Sequence, residues 1–157
     1  MMKHEDCMML AIEVAKQAEA DGGPAIGAIL VKDDVVIAEG KSLVWPLMDP
    51  SSHGEGNCIR AACKKLDTLD LSNCRMYGTL EPCGMCVSTA AWAGLSEIYF
   101  GAYQKDVVGN NYEIKDWDAE KAALNMNLFN GSAMKIQGGL LREECSKLLA
   151  EYENWTK

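Results

Sequence analysis

The sequence has no long apolar run, no cluster of basic residues and no internal repeat. Charged side chains interrupt the N-terminal segment, so it lacks the apolar core that a secretory signal needs; they are Lys3, Glu5, Asp6, Glu13 and Lys16. No later stretch approaches the roughly 20 apolar residues of a membrane-spanning helix. We therefore expect neither secretion nor membrane insertion, and a cytoplasmic location.

Positive charge is also scarce. The chain carries 15 Lys and Arg residues against 23 Asp and Glu residues, which gives a formal net charge of -8 with neutral histidines. Nucleic-acid-binding proteins usually present a basic patch, because neutralised phosphates supply much of their affinity. The charge balance therefore favours a small-molecule ligand over a nucleic acid.

The use of cysteine does not indicate a disulfide framework. The seven cysteines are an odd number, and no secretory signal accompanies them. In a reducing compartment, cysteines that bind no metal behave as small apolar side chains. A chain of 157 residues can bury a core without cross-links, and we expect residues 1–157 to form one domain.

The hydrophobic pattern predicts alternating helices and strands. Helices are expected at about 4–20, 53–66, 82–93, 118–125 and 140–152, and strands at 26–31, 35–38, 75–79, 98–101 and 134–137. The segment 41–50 contains two prolines and is expected to be a loop, after which Ser51 or Ser52 caps the second helix. This order indicates a layered α/β domain with a mixed sheet.

Two short motifs at predicted helix starts carry the strongest chemical signal. They are His53-Gly54-Glu55 and Pro82-Cys83-Gly84-Met85-Cys86. The two cysteines are three residues apart, so both thiols project from one face of a helix, and the helix N-terminus favours the thiolate form. Together with the histidine they offer three protein ligands to Zn²⁺, which leaves a fourth position for water, as in catalytic zinc sites.

Glu55 lies two residues after the histidine ligand and is the predicted catalytic residue. Bound zinc lowers the pKa of a coordinated water toward about 7, and a neighbouring carboxylate can carry a proton from that water to the substrate. This pair of motifs and this role for the glutamate are typical of zinc-dependent nucleobase deaminases. Asn57 is expected either to orient Glu55 or a backbone turn, or to lie on an exposed helix face.

Two other interpretations of the cysteine pair stay open. A Cys-x-x-Cys pair is also typical of a structural zinc knuckle or a redox site. A structural zinc is usually closed by a fourth protein ligand, for which Cys58, Cys63 or Cys74 is available. The knuckle interpretation would make the protein a zinc-stabilised interaction module rather than an enzyme.

Beyond these motifs, most of the chain resembles the cytidine-deaminase superfamily. The segments that carry the resemblance are GGPAIGAILVKDDVVIAEG, DPSSHGEGNCIRAACKKL and TLEPCGMCVSTAAWAGLSEIYFGA, and they are most similar to the bacterial guanine deaminase and tRNA adenosine deaminase branches. The resemblance implies a single three-layer α/β/α domain with a mixed five-stranded sheet. It also implies a zinc ion on His53, Cys83 and Cys86, and a homodimer.

The resemblance is looser at the positions that contact the substrate. The superfamily usually has alanine where this chain has Gly54. In the guanine and tRNA branches, an asparagine eleven residues before the histidine ligand hydrogen-bonds the base, and this chain has Ser42 at that position. An acidic residue that helps to orient guanine corresponds to Ile114, next to Glu113.

Four side chains are candidates for contact with the substrate, namely Ser42, Trp92, Glu113 and Trp155. Trp92 is expected either to stack on a base or to lie in the core. Glu113, beside Tyr112, is expected at the pocket mouth or in a solvated loop. Trp155 is expected to dock as a lid over the pocket or at a subunit interface.

These observations predict a cytoplasmic zinc hydrolase that releases ammonia from a small amino-substituted ring. Guanine or a related free base is the favoured substrate, which would place the enzyme in nucleobase metabolism and purine salvage. Deamination of adenosine in tRNA, of cytosine or of a nucleoside are the alternatives among enzymes. A non-catalytic zinc-stabilised protein is the alternative outside that class.

Overall fold

The chain folds around a mixed five-stranded sheet. The computed structural model describes residues 1–107, 116–131 and 133–154 (for 128–130, the backbone alone), and its strands are β1 Gly27–Lys32, β2 Val35–Lys41, β3 Arg75–Leu80, β4 Glu97–Ala102 and β5 Lys135–Gln137. Their order across the sheet is β2-β1-β3-β4-β5. β1 is antiparallel to both of its neighbours, whereas β3, β4 and β5 run parallel.

Helices cover both faces of this sheet. In the described ranges they are α1 His4–Ala20, α2 Val44–Leu47, α3 Gly54–Leu66, α4 Gly84–Trp92, α5 Ala119–Asn130 and α6 Arg142–Glu151, with a 3₁₀ turn at Gln104–Asp106. Alternate residues of a strand point to opposite faces. Ala28 and Leu30 of β1 therefore pack under α3, α4 and α5, while Ile29 and Val31 pack under α1 and α6. The predicted three-layer α/β/α architecture is confirmed.

The element order agrees with the pattern in the sequence, and the differences lie at element ends. The segment 41–50 is more than a loop, because Val44–Leu47 forms a short helix. The prediction that Ser51 or Ser52 caps the second helix is wrong. His53 is the N-cap residue of α3, and the Ser52 hydroxyl instead accepts a hydrogen bond from Asn57 (2.9 Å).

None of the helices in the described part of the chain has the length and hydrophobicity that crossing a membrane requires.

Strand β2 and helix α3 approach each other at a pair of glycines. A Cβ atom on Gly40 would overlap the carbonyl oxygen of Gly54 and would lie 2.5 Å from the backbone nitrogen of Cys58. Both obstacles are backbone atoms of α3, so they cannot rotate away as a flexible side chain would. The absence of a side chain at position 40 therefore sets how closely the N-terminus of α3 lies against the sheet.

Substitution of Gly40 by alanine is expected to lower the free energy of unfolding by about 2 kcal/mol, because overpacking forces backbone shifts. Urea denaturation of the zinc-loaded protein measures this change. Gly56→Ala is the matched control on α3, since its Cβ would meet no atom nearer than the Arg60 guanidinium at 3.6 Å. The control is expected to gain about 0.5–1 kcal/mol, as alanine does over glycine within helices. Equal stability of the Gly40 variant and the wild-type protein would contradict this account of the contact.

Candidate metal centre and adjoining cavity

The N-termini of α3 and α4 lie side by side and present the three predicted zinc ligands. His53 is the N-cap residue of α3, and Cys83 is the N-cap residue of α4, with Cys86 in the first turn of that helix. Both N-cap residues have extended backbone, and neither side chain caps its own helix. The His53 ring and the Cys83 thiol are therefore available to bind a metal ion.

The spacing of these donors fits a tetrahedral zinc ion. The Nδ1 atom of His53 lies 3.5 Å from Cys83 Sγ and 3.8 Å from Cys86 Sγ. Bonds of about 2.3 Å to sulfur and about 2.0 Å to nitrogen in a tetrahedron place sulfur and nitrogen roughly 3.5 Å apart. One imidazole and two thiols are also the donor types that zinc prefers. The three side chains therefore fit zinc in both chemistry and distance.

A fourth protein ligand is not found among the described residues. There, the group of candidate donors whose ligand atoms all lie within 4.8 Å of one another consists of His53, Cys83 and Cys86. The Cys58 thiol instead donates to the Ala38 carbonyl oxygen (3.5 Å), and Cys63 and Cys74 belong to the core between the sheet and its helices. Three protein ligands are the number found in catalytic rather than structural zinc sites.

Cys83 and His53 stabilise each other's charged forms. A hydrogen bond from the Cys86 thiol, opposed by burial and reinforced by the His53 ring, holds the pKa of Cys83 well below its ordinary value. The hydrogen bond between His53 and Cys83 also raises the pKa of His53, although burial of the ring lowers it. Thiolate at Cys83 is the form that binds a metal.

Glu55 is buried beside the three ligands. Its side chain is 4% exposed, and its Oε2 atom lies 3.5 Å from Cys86 Sγ. Burial raises the pKa of this carboxyl group, and the neighbouring Cys83 charge raises it further. An internal carboxyl group next to a metal centre, and outside its ligand set, is placed to exchange protons there.

A cavity of about 450 Å³ opens from the metal centre toward the surface. His53, Glu55 and Cys83 line its inner end. Apolar side chains form much of the rest, and they are Pro24, Ile26, Val44, Trp45, Met48, Pro50 and Leu80. Polar side chains enter at a few points, namely Ser42, Asp49, Glu81 and Gln104. A mostly apolar cavity of this volume with a few polar groups is typical of small-molecule sites.

The structure brings Ser42 into the cavity wall, where its side chain is buried. Asn57 holds the adjacent backbone, because its side-chain nitrogen donates to the Lys41 carbonyl oxygen (2.8 Å) and to the Ser52 hydroxyl (2.9 Å). Of the roles expected for Asn57, the one that the structure shows is orientation of a backbone turn. This backbone turn leads directly into Ser42, which lines the cavity.

Of the other three predicted contact residues, Trp92 lies in the described part of the chain, and it does not line this cavity. Trp92 lies at the end of α4 with its side chain 80% exposed, so it neither lines the cavity nor lies in the core. Six residues of helix separate it from Cys86, which turns its side chain about 120° away. Glu113, with Tyr112 and Ile114, and Trp155 lie outside the described residues.

An aromatic residue that the sequence-based argument did not select, Trp45, does line the cavity. Its side chain is half-buried and interacts with the hydroxyl group of Tyr152, at the end of α6. The prolines at 46 and 50 predict a loop for this segment. Proline is also favoured in the first turn of a helix, and Pro46 lies within α2, so Pro46 was the signal that could have placed Trp45 on an ordered element.

The fold, the three-ligand centre and the buried carboxyl group together define a zinc-dependent hydrolytic enzyme. A family model described as the cytidine and deoxycytidylate deaminase zinc-binding region matches residues 1–102. The chain therefore belongs to this family of zinc deaminases.

Proteins of known function that resemble the chain fall into two groups. Guanine deaminase of Bacillus subtilis is 34% identical over 71% of this chain and 72% of its own length. The tRNA-specific adenosine deaminase of Haemophilus influenzae is 32% identical over 94% of this chain and 82% of its own length. The solved structure of a guanine deaminase from Nitrosomonas europaea superposes with a TM-score of 0.84 at 25% identity, covering 97% of this chain and 85% of its own. The family and its chemistry are common to both groups, whereas the substrates differ.

Substitution of Cys83 by serine is expected to reduce bound zinc from about one ion per chain to a small fraction, because the hydroxyl group is a poor replacement for thiolate. Metal analysis after dialysis measures the ratio. Cys63→Ser is the matched control on α3, since Cys63 packs against the core outside the donor group. Loss of zinc from the Cys63 variant, or full retention in the Cys83 variant, would show that the ligand set is different.

Proposed function

We propose that the protein catalyses the hydrolytic deamination of a small free nucleobase, with guanine or a related aminopurine as the preferred substrate. The observation that carries the proposal is the buried Glu55 carboxyl group, which lies beside the three candidate zinc ligands at the inner end of the cavity. Such a site can bring a flat ring, a water molecule and a proton carrier together. The family membership supports the reaction class.

Glu55 carries the proton transfers in this proposal. His53, Cys83 and Cys86 would hold the zinc ion, which would supply a Lewis acid that lowers the pKa of water in the cavity. Glu55 accepts one proton from water as the new carbon–oxygen bond forms and passes it to a ring nitrogen, and it then carries the remaining proton of the added hydroxyl group to the departing amine. The carbon–nitrogen bond breaks, and the products are the oxo base and ammonia.

Several features favour a free base over a nucleic acid. The net charge of -8 repels polyanions. A cavity of about 450 Å³ has room for a single base. The guanine deaminases among the relatives act, as their names state, on a free base. We also expect the enzyme to work in the cytoplasm, because its N-terminal segment is charged and its cysteines suit a reducing compartment. The resemblance implies a homodimer.

Deamination of adenosine in tRNA is the second candidate. It is favoured by the extent of the similarity, since a tRNA-specific adenosine deaminase aligns over 94% of this chain. This function requires contact with phosphates, and it therefore predicts binding that weakens steeply with salt concentration. Turnover of a free base would not share that dependence.

A screen for ammonia release is expected to show turnover of guanine or a related aminopurine, with much slower release from nucleosides, cytosine and an anticodon stem-loop. Glu55→Gln is expected to lower turnover by a thousandfold or more while zinc stays bound, because the amide cannot carry a proton; general acid–base catalysis alone contributes about 10²–10⁴-fold. Metal analysis checks that the variant is loaded.

Glu39→Gln, on the exposed side of β2, is the matched control and is expected to keep wild-type turnover. Ammonia release from the stem-loop alone would favour the tRNA function. Robust turnover by the zinc-loaded Glu55 variant would overturn the role given to Glu55.

Trp45→Ala is expected to raise KM for the base about tenfold or more with a smaller change in kcat, because a base–aromatic contact contributes roughly 1–3 kcal/mol. Trp45→Phe is expected to keep most of the affinity. Trp92→Ala is the matched control, since that side chain is 80% exposed and outside the cavity. A rise in KM in the Trp92 variant and none in the Trp45 variant would place the stacking surface on α4 instead.

A further inference from the structure

Glu81 is a second buried carboxylate close to the metal centre, and the proposed reaction does not use it. Its side chain is 4% exposed, it follows β3 directly, and it precedes Cys83 by two residues. It lines the cavity but is not part of the donor group of His53, Cys83 and Cys86. A carboxylate that is buried without a metal or a cation needs hydrogen-bond donors around it.

Those donors are backbone amides from two other elements. Glu81 Oε2 accepts a hydrogen bond from the Gln104 amide nitrogen (2.9 Å), and Oε1 accepts one from the Ala119 amide nitrogen (3.0 Å). Gln104 begins the 3₁₀ turn, and Ala119 begins α5. The first amides of a helix have no partner within it, and a negative charge is favourable there. The Glu81 side chain thus accepts hydrogen bonds from the first amides of two helical segments.

The backbone around Glu81 is held as firmly as its side chain. Its amide nitrogen donates to the Ala102 carbonyl oxygen (2.8 Å), and its carbonyl oxygen accepts from the Gln104 side-chain nitrogen (2.9 Å). The next carbonyl oxygen, that of Pro82, accepts from the Trp117 indole nitrogen (2.8 Å). Residues 81 and 82 are therefore bonded to the end of β4, the 3₁₀ turn and the start of α5.

These bonds matter because the connection that they hold is very short. Three residues, 81–83, join β3 to α4, and the last of them is a zinc ligand. Two of these residues, Glu81 and Cys83, also line the cavity, and so does Gln104, whose amide is bonded to Glu81. Any shift of this connection would move the Cys83 thiol and the wall together.

We propose that Glu81 is a positioning residue that fixes the Cys83 turn relative to the cavity wall and to the start of α5. Its effect on turnover rests on the proposed function, whereas its effect on zinc retention does not. A carboxylate is required because both of its oxygens accept hydrogen bonds. Glutamine offers one oxygen and one amino group, so one of the two backbone amides would face another donor.

The test compares Glu81→Gln and Glu81→Asp with Asp118→Asn in the zinc-loaded enzyme. Asp118 caps the same helix by accepting from the Lys121 amide (3.0 Å), but within the described residues no hydrogen bond joins its side chain to residues 81–83, so its variant is a control for a weakened α5 alone. The readouts are hydrogen exchange at the Gln104 and Ala119 amides, the rate of zinc transfer to a chelator, and kcat and KM for ammonia release.

In Glu81→Gln we expect exchange at one or both amides and zinc transfer to be about tenfold faster, because a buried donor loses its acceptor. We expect kcat to fall by a similar factor with a smaller change in KM. Glu81→Asp keeps both acceptor oxygens on a shorter side chain and is expected to recover part of the zinc retention. Asp118→Asn is expected to leave zinc transfer unchanged.

Faster amide exchange in Glu81→Gln with unchanged zinc transfer would overturn the proposal, since the residue would then be a structural cap alone. Equal acceleration of zinc transfer by Asp118→Asn would also overturn it, since the effect would come from the stability of α5. If the wild-type protein released no ammonia from any substrate tested, the proposed function would fail. The zinc-transfer comparison would still decide the role of Glu81, and if Glu81→Gln did not fold, Glu81→Asp against Asp118→Asn would decide it.

Discussion

The convergence of two helix N-termini on three ligand atoms is the constraint on which the rest of this structure depends. The three ligand atoms lie within 4.8 Å of one another, although they come from the starts of α3 and α4, and the chain forms the whole of β3 between these two helices. Each N-terminus carries unpaired amides and a partial positive charge, which stabilises thiolate at Cys83. Both helices pack on the same face of the sheet, and the contact of Gly40 with α3 sets how closely one of them lies to it.

The sequence predicts this centre well because its information is local. Each motif lies within five residues, and helix geometry puts Cys83 and Cys86 on one face without reference to the rest of the chain. The continuous apolar run of β1 likewise predicts a strand covered on both faces. Element order and layering follow from such periodicities, and errors of a few residues at element ends follow from fraying and alternative caps.

The residues that the sequence places poorly depend on neighbours that no short motif identifies. Ser52 has the right chemistry for a helix cap, but Asn57 engages its hydroxyl group and the cap position passes to His53. Trp92 follows the zinc helix closely in sequence, yet its direction is set by the turn of α4 and by what packs on that helix. Trp45 reaches the cavity because α2 orders a segment whose prolines also suit a loop.

The metal ligands and much of the cavity wall therefore occupy different parts of the fold. The ligands and Glu55 lie at the starts of helices that pack on the sheet, whereas Ser42, Trp45 and Gln104 lie between β2 and α3 or between β4 and α5. Those connections are held by hydrogen bonds to their backbone: Asn57 binds the Lys41 carbonyl oxygen, and Glu81 binds the Gln104 amide. The backbone amide and carbonyl groups stay the same when a side chain changes, unless the new residue is proline. Wall side chains can thus change without displacing the metal centre.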